Sequence, residues 1–293
     1  MSYAIITPVK NELNYFRQTI ASVCSQSLIP IKWIIMDDGS TDGTNELINE
    51  FSAKYSFIEH HYLENYKSEL NSIGGRSGAL MNLARKHIPR DVKSIVKIDA
   101  DIAFPNYFIS HLLNELKKNP TLGIASGHLL QNGIPELIKD YNANRGAVRV
   151  YRKMCFDQIG SYYMCRGEDD MDTYTAQYLG WETKTFDIYF DHLKPEEAKG
   201  GDLSSHFETG YYKGKIPYIL VYFLGASASQ VMQRPLIIGA MAQLLGYISS
   251  RYIHRCRPFD KDVCDFIRFG QQRKLKEYLF HPYKNKERVR AKG

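Results

Sequence analysis

The chain has 293 residues, 24% of them charged and 44% hydrophobic, enough to bury one large α/β core or a core domain with an appendage. Its five cysteines, Cys24, Cys155, Cys165, Cys256 and Cys264, are odd in number and form no CxxC pair. That argues against a disulfide framework or a zinc site, and for reduced thiols in the cytosol. The net charge of +6 belongs to the tail: from Arg251 onward 13 Lys/Arg face 5 Asp/Glu, while residues 1–250 carry 25 against 27.

In chain order, the apolar run Tyr3–Ile6 is too short for a signal-peptide core, and Lys10 and Glu12 follow it closely, so the chain is not expected to be secreted. Strands are predicted at 3–7, 32–37, 57–63, 94–99 and 122–130. Helical spacing of apolar residues predicts helices over 13–27, 44–54, 77–88 and 105–118, most clearly at Phe108, Leu112, Leu113 and Leu116. This alternation predicts an α/β domain with a sheet covered by helices on both faces. A second region, 144–190, carries a strand at AVRVYR, a helix starting near Glu168 and a strand at TKTFDIYF.

Residues 196–215 are polar and Gly-rich and read as a linker or mobile loop. Two apolar pieces of 15–17 residues follow, separated by Gln233, Arg234 and Pro235. Each is shorter than the roughly 20 residues that span a bilayer, so they are expected to lie on or dip into a membrane.

Three polar clusters, TPVKNE (7–12), DDGST (37–41) and DAD (99–101), stand at the carboxyl ends of predicted strands. In an open parallel sheet that edge is where ligands bind. Two acids at the end of an otherwise apolar strand, Asp99 and Asp101, are costly to bury unless paired or bound to a metal. Taken singly, an Asp here caps a helix, DDGST is a turn and Arg76 opens a helix in solvent.

Taken together, TPVKNE, MDDGSTDGT, GGRSGALMNLA (74–84), KIDADIAFP, RGAVRVYR and GEDDMDTYTAQYLGW (167–181) resemble family 2 glycosyltransferases of the inverting GT-A type. The resemblance covers residues 1–192. It implies a Rossmann-like nucleotide-binding mixed sheet flanked by helices over 1–195, with 1–130 holding a nucleotide-diphosphate sugar and 131–195 facing the acceptor. It assigns Thr7, Pro8, Glu12, Asp38, Arg76 and Asp99 to the nucleotide, and Asp101, Asp99 and His192 to Mn²⁺ or Mg²⁺. Oxygen donors suit those ions, although a lone His is often structural.

Four acids lie within five residues at Glu168–Asp172. A helix dipole favours acids there, while their mutual repulsion opposes it. Matched to Gly180-Trp181, the resemblance assigns the catalytic base to Asp169, with Asp170 in reserve. Met171 and Thr175 stand where the family often has an acid and a base.

The apolar and basic region 216–293 resembles the C-terminal extension of members acting on lipid-linked or polysaccharide acceptors. It predicts peripheral attachment to an anionic membrane at the cytoplasmic face, or packing against a second copy of the chain. The flanking apolar helices fit lipid better than nucleic acid. Two other readings compete: an inactive nucleotide-sugar-binding or membrane scaffold of the same fold, and a dinucleotide-dependent oxidoreductase. The second is weakened because GGRSG at 74–78 lacks GxGxxG spacing.

Overall fold

A computed structural model describes residues 1–64, 75–136, 141–142, 144–164, 168–194, 203–216, 218–221, 223, 236–253 and 259–280. Much of the first predicted apolar helix and the last basic residues lie outside these. The chain divides into two units, Met1–Glu196 and Glu197–Gly293.

In the first unit the order is β1 (Tyr3–Val9), α1 (Leu13–Cys24), β2 (Lys32–Asp37), α2 (Thr44–Lys54), β3 (Ile58–Tyr62), α3 (Arg76–Ala84), β4 (Ser94–Ile98), β5 (Ile102–Ala103) and α4 (Phe108–Lys118). Then come β6 (Leu122–Gln131), β7 (Ile134–Pro135), β8 (Val148–Arg152), α5 (Lys153–Ile159), α6 (Glu168–Tyr178) and β9 (Glu182–His192). The strands form one sheet in the order β3-β2-β1-β4-β8-β6-β9-β5, with β7 paired to β6. β3, β2, β1 and β4 run parallel, β8 is antiparallel to both β4 and β6, and β9 is parallel to β6. The sheet is therefore mixed.

Parallel strands covered by helices on both faces read as continuous apolar runs, which is why β1 and β4 are almost wholly buried. Alternation sends Tyr3, Ile5, Trp33, Ile35, Val96 and Ile98 to one core, with Phe16 of α1 and Phe108 of α4. Ala4, Ile6, Ile34, Met36 and Ile95 go to the other, with Leu80 of α3 and Phe156 of α5. Trp33 meets Phe16 edge-on at 6.0 Å and donates its indole N–H to Thr7 Oγ1 at 2.9 Å. Leaving such a buried donor without a partner costs about 1–3 kcal/mol.

The predicted strands fall within two residues of the observed ones. Helix 77–88 stops earlier, at Ala84, and a 3-10 turn carries the chain on through Arg85–His87. Helix 105–118 begins later, at Phe108, after a turn in which the Phe108 amide donates to the Pro105 carbonyl at 3.0 Å.

The second unit corrects the reading of 196–215 as a linker. Residues Leu203–Lys215 form a helix, α7, followed by α8 (Leu236–Ile248) and α9 (Lys261–Phe280); 196–202 lie outside the described residues. The glycines that suggested a loop have another role. A Cβ at Gly210 would stand 1.8 Å from the Gln243 carbonyl oxygen, and one at Gly214 2.7 Å from that of Tyr247. They let the backbones of α7 and α8 approach closely. Tyr247 then stacks on Phe223 at 4.3 Å and its hydroxyl donates to the Tyr218 carbonyl at 2.7 Å. No helix among the described residues is long and apolar enough to cross a membrane.

Candidate active site

β1 and β2 end side by side, Val9 opposite Asp37, and the loops after them are stitched together. Ser40 Oγ accepts from the Asn11 amide at 2.9 Å, Asn11 Oδ1 accepts from the Thr41 amide at 2.8 Å, and Thr44 Oγ1 accepts from the Glu12 amide at 3.0 Å. Asp37 Oδ1 accepts from the Ser40 amide at 2.8 Å. Most of the polar residues of TPVKNE and DDGSTDGT are therefore structural braces. Asp38 is the one acid of DDGST that lines the cavity beyond them.

That cavity, about 470 Å³, is lined by Pro8, Val9, Lys10, Glu12, Asp38, Arg76, Ser77, Leu80, Lys97, Asp99, Ala100, Asp101 and Asp169. Asp38 is ion-paired to Lys10 at 3.3 Å and to Arg76. Its Oδ1 is buried and has no hydrogen-bond partner among the described residues, an acceptor that a ligand's N–H would satisfy. Glu12 accepts from Lys194 Nζ at 2.9 Å. Thr7, expected in the pocket, is fully buried instead, its hydroxyl engaged by Trp33. It lies on the strand face turned to the α1 core.

The DAD loop is held to α1 by Thr19, which donates to the Ala100 carbonyl at 2.8 Å and accepts from the Ile102 amide at 3.1 Å. Immediately after the loop, β5 pairs antiparallel with the end of β9, Ile102 opposite His192. This pairing brings Asp101 Oδ2 to 3.1 Å from His192 Nε2. Gln131 Nε2 donates to the Lys194 carbonyl at 3.4 Å, and its Oε1 stands 3.1 Å from His192 Nδ1. The Gln131 amide is thus oriented to accept the Nδ1 proton, which leaves the Nε2 lone pair facing a carboxylate. Two acceptors at that distance need a proton or a cation between them, and a carboxylate oxygen with an imidazole nitrogen is a donor set for Mn²⁺.

Asp99 is turned elsewhere, toward Lys97 at 3.2 Å. Its side chain is 40% exposed, yet the surrounding protein desolvates it. With Asp169 and Asp101 nearby its pKa rises to about 6 against the pull of Lys97.

Asp169, from the first turn of α6, reaches the same cavity, while Asp170 is exposed and is not among the lining residues. Sequence reasoning missed what holds Asp169. Lys97 and Arg149 are directly opposed on β4 and β8, and both are buried; like charges so placed repel. Asp169 offsets this. Its carboxylate lies 3.3 Å from Lys97 Nζ, its carbonyl accepts from Arg149 Nη1, and Lys97 also donates to the Gly146 carbonyl at 2.8 Å. Burial alone would raise the Asp169 pKa, but Lys97 and Arg149 outweigh it and hold the group below its ordinary value, ionised. Asp172, one turn on, has the opposite balance. It is fully buried, accepts from the Tyr151 hydroxyl at 3.0 Å, and is pushed up to about 7 by desolvation. The signal was present: a lysine inside the buried strand SIVKI, two residues before Asp99 and on its face.

Gly146 completes the setting, because a Cβ there would stand 1.8 Å from Asp169 Oδ2. The clash reaches Asp169 Cγ as well, at 2.4 Å, so the carboxylate must leave Lys97. Gly146→Ala is therefore expected to lower the melting temperature, because Lys97 and Arg149 lose their counter-charge, and to lower turnover roughly tenfold to a hundredfold. Paired melting and rate measurements check this.

Residues 4–166 match the model of glycosyl transferase family 2. The chain belongs to that family. Among curated relatives, it is 30% identical over 114 residues to glycosyltransferase GlyA of Streptococcus pneumoniae, covering 36% of this chain and 16% of GlyA. It is 28% identical over 118 residues to the poly-beta-1,6-N-acetyl-D-glucosamine synthase of Staphylococcus epidermidis, covering 40% and 26%. The chain thus spans well under half the length of these relatives. Of solved structures, residues 1–349 of S. aureus TarS with UDP-GlcNAc superpose with TM-score 0.58 at 14% identity, over 88% of this chain and 84% of that one. Mannosyltransferase PcManGT of Pyrobaculum calidifontis, with GDP-Man and Mn²⁺, gives 0.56 at 15% identity, over 99% and 84%. The fold of this family 2 chain is accordingly GT-A.

Proposed function

We propose that this family 2 chain is a metal-dependent, inverting glycosyltransferase. It moves a sugar from a nucleotide-diphosphate sugar, a UDP-sugar in the first instance, to a hydroxyl of a lipid-linked or polysaccharide acceptor. The observation that carries this reading is the convergence on one cavity of an ionised carboxylate, Asp169, with Asp99 and Asp101 and the unsatisfied acceptor of Asp38. Pro8, Glu12, Asp38 and Arg76 would hold the nucleotide, with Asp38 accepting from the base. Asp101 and His192, with Asp99 beside them, would hold Mn²⁺ or Mg²⁺, whose charge when bound would offset that growing on the departing diphosphate.

Asp169 takes the proton from the acceptor hydroxyl as its oxygen bonds to the anomeric carbon and the bond from that carbon to the diphosphate oxygen breaks. Lys97 and Arg149 keep the base ionised, and Gly146 leaves it room. The nucleotide sugars in the TarS and PcManGT structures support the donor class.

A panel of nucleotide sugars with Mn²⁺ tests the reading. One donor is expected to raise the melting temperature and to be turned over when membrane extract supplies the acceptor. Binding without turnover in any extract would favour the scaffold instead.

We further assign residues 216–293 to the inner face of the cytoplasmic membrane. On α8 and just beyond it, Ile238, Met241, Leu245 and Tyr252 are each 58–60% exposed and recur at helical spacing. The basic residues that follow would meet anionic headgroups, at roughly 1 kcal/mol each. Co-sedimentation with vesicles containing anionic lipid is expected to fall when Ile238, Met241 and Leu245 are all changed to Ser. Unchanged sedimentation would remove the assignment.

A further inference from the structure

At the β3 edge of the sheet, away from the cavity, Glu59 and His61 stand two residues apart on one face of the strand, and His87 comes up to them from the 3-10 turn after α3. Glu59 Oε1 lies 2.6 Å from His61 Nε2 and 3.2 Å from His87 Nδ1. The three donor atoms all fall within 4.8 Å of one another, and no other His, Cys, Asp or Glu group among the described residues converges in this way. The two imidazole centroids are 3.8 Å apart. The other carboxylate oxygen, Glu59 Oε2, is ion-paired to Lys32 on β2. That contact orients the carboxylate and leaves Oε1 to the histidines, as a partner behind a metal ligand does. The side chains are 23–31% exposed, so an ion has a path in.

From this geometry we infer that Glu59, His61 and His87 form a second metal site, selective for a borderline transition ion such as Zn²⁺. Two imidazole nitrogens and one carboxylate oxygen, with the fourth position open to water, are a recurrent tetrahedral zinc set. The cavity's set, Asp101 and Asp99 with the single imidazole of His192, is richer in oxygen and belongs to the harder ions. The cysteine pattern pointed away from zinc, but histidines brought together by folding supply the donors instead. The ion ties β3 to the far end of the α3 segment, whose first residue is the cavity's Arg76. Its effect is on stability, through the two elements that flank residues 65–74, and it takes no part in the transfer.

Cobalt substitution tests this on the tag-free full chain. One equivalent of Co²⁺ is expected to produce the visible bands of a tetrahedral site, and Zn²⁺ in hundredfold excess over its dissociation constant to raise the melting temperature by roughly 5–10 °C. Both effects are expected to vanish in His61→Ala and His87→Ala, and to weaken in Glu59→Gln, which keeps the side-chain volume if either alanine variant fails to fold. Both are expected to persist in Asp99→Asn/Asp101→Asn. Absence of the bands in the unmodified protein, their survival in the histidine variants, or their loss in the aspartate double variant would overturn the site and leave a hydrogen-bonded cluster.

Discussion

Asp169→Asn is expected to lower turnover by roughly 10²–10⁴, the contribution of a positioned base, while donor binding, read by thermal shift, stays close to that of the unmodified protein. Asn keeps the shape of the side chain and leaves the backbone carbonyl for Arg149, but it removes the charge that offsets Lys97 and Arg149, so the variant is expected to melt at a lower temperature and its turnover is compared well below that melting point. What is lost is the proton acceptor. The two cations that hold Asp169 ionised add a second arm to the same measurement. Below its folded pKa the base is protonated and turnover falls. Lys97→Met removes one of the charges that lower that pKa, so the acid limb of the turnover profile is expected to move to higher pH. A limb that stays in place would mean that another group governs it.

Asp101→Asn is the other large effect. An uncharged amide in place of the carboxylate beside His192 removes the charged half of the donor pair. Stabilising a leaving diphosphate by several kcal/mol through a bound cation corresponds to roughly 10³-fold in rate, and a loss of that order is expected in kcat/KM. It is expected to be accompanied by loss of the Mn²⁺-dependent rise in melting temperature with nucleotide sugar. His192→Ala is expected to fall between, as is Gln131→Ala, which acts only by fixing the imidazole tautomer. This ordering separates a metal role from a simple hydrogen bond, for which Gln131 would have no effect.

Much of the first unit was legible because parallel strands buried on both faces leave apolar runs, and Tyr3–Ile6 at the start of β1 is a clear one. What escaped depended on pairing across the sheet. Nothing local to the DAD stretch says that β5 folds back beside His192. Nothing in VRVYR says that Arg149 will oppose Lys97. The polar motifs were legible as a cluster, but not residue by residue. Asp37 and Asp38 are adjacent and identical, and only the turn at Ser40 decides that the first is a brace and the second faces the cavity. Thr7 was misplaced for the same reason, since side chains alternate along a strand. Gly210 and Gly214 looked like linker residues because a glycine that admits a neighbouring helix and one that frees a loop have the same sequence signature.

On the proposed mechanism, one cavity holds the sugar nucleotide, its cation and the base. A crystal structure with Mn²⁺ and the donor identified by the panel, with diffraction recorded at the manganese edge, tests it directly. An anomalous peak bonded to Asp101 is expected, with the nucleotide base against Asp38 and the anomeric carbon facing the Asp169 carboxylate. A nucleotide bound outside this cavity, or a sugar whose anomeric carbon is turned away from Asp169, would contradict it.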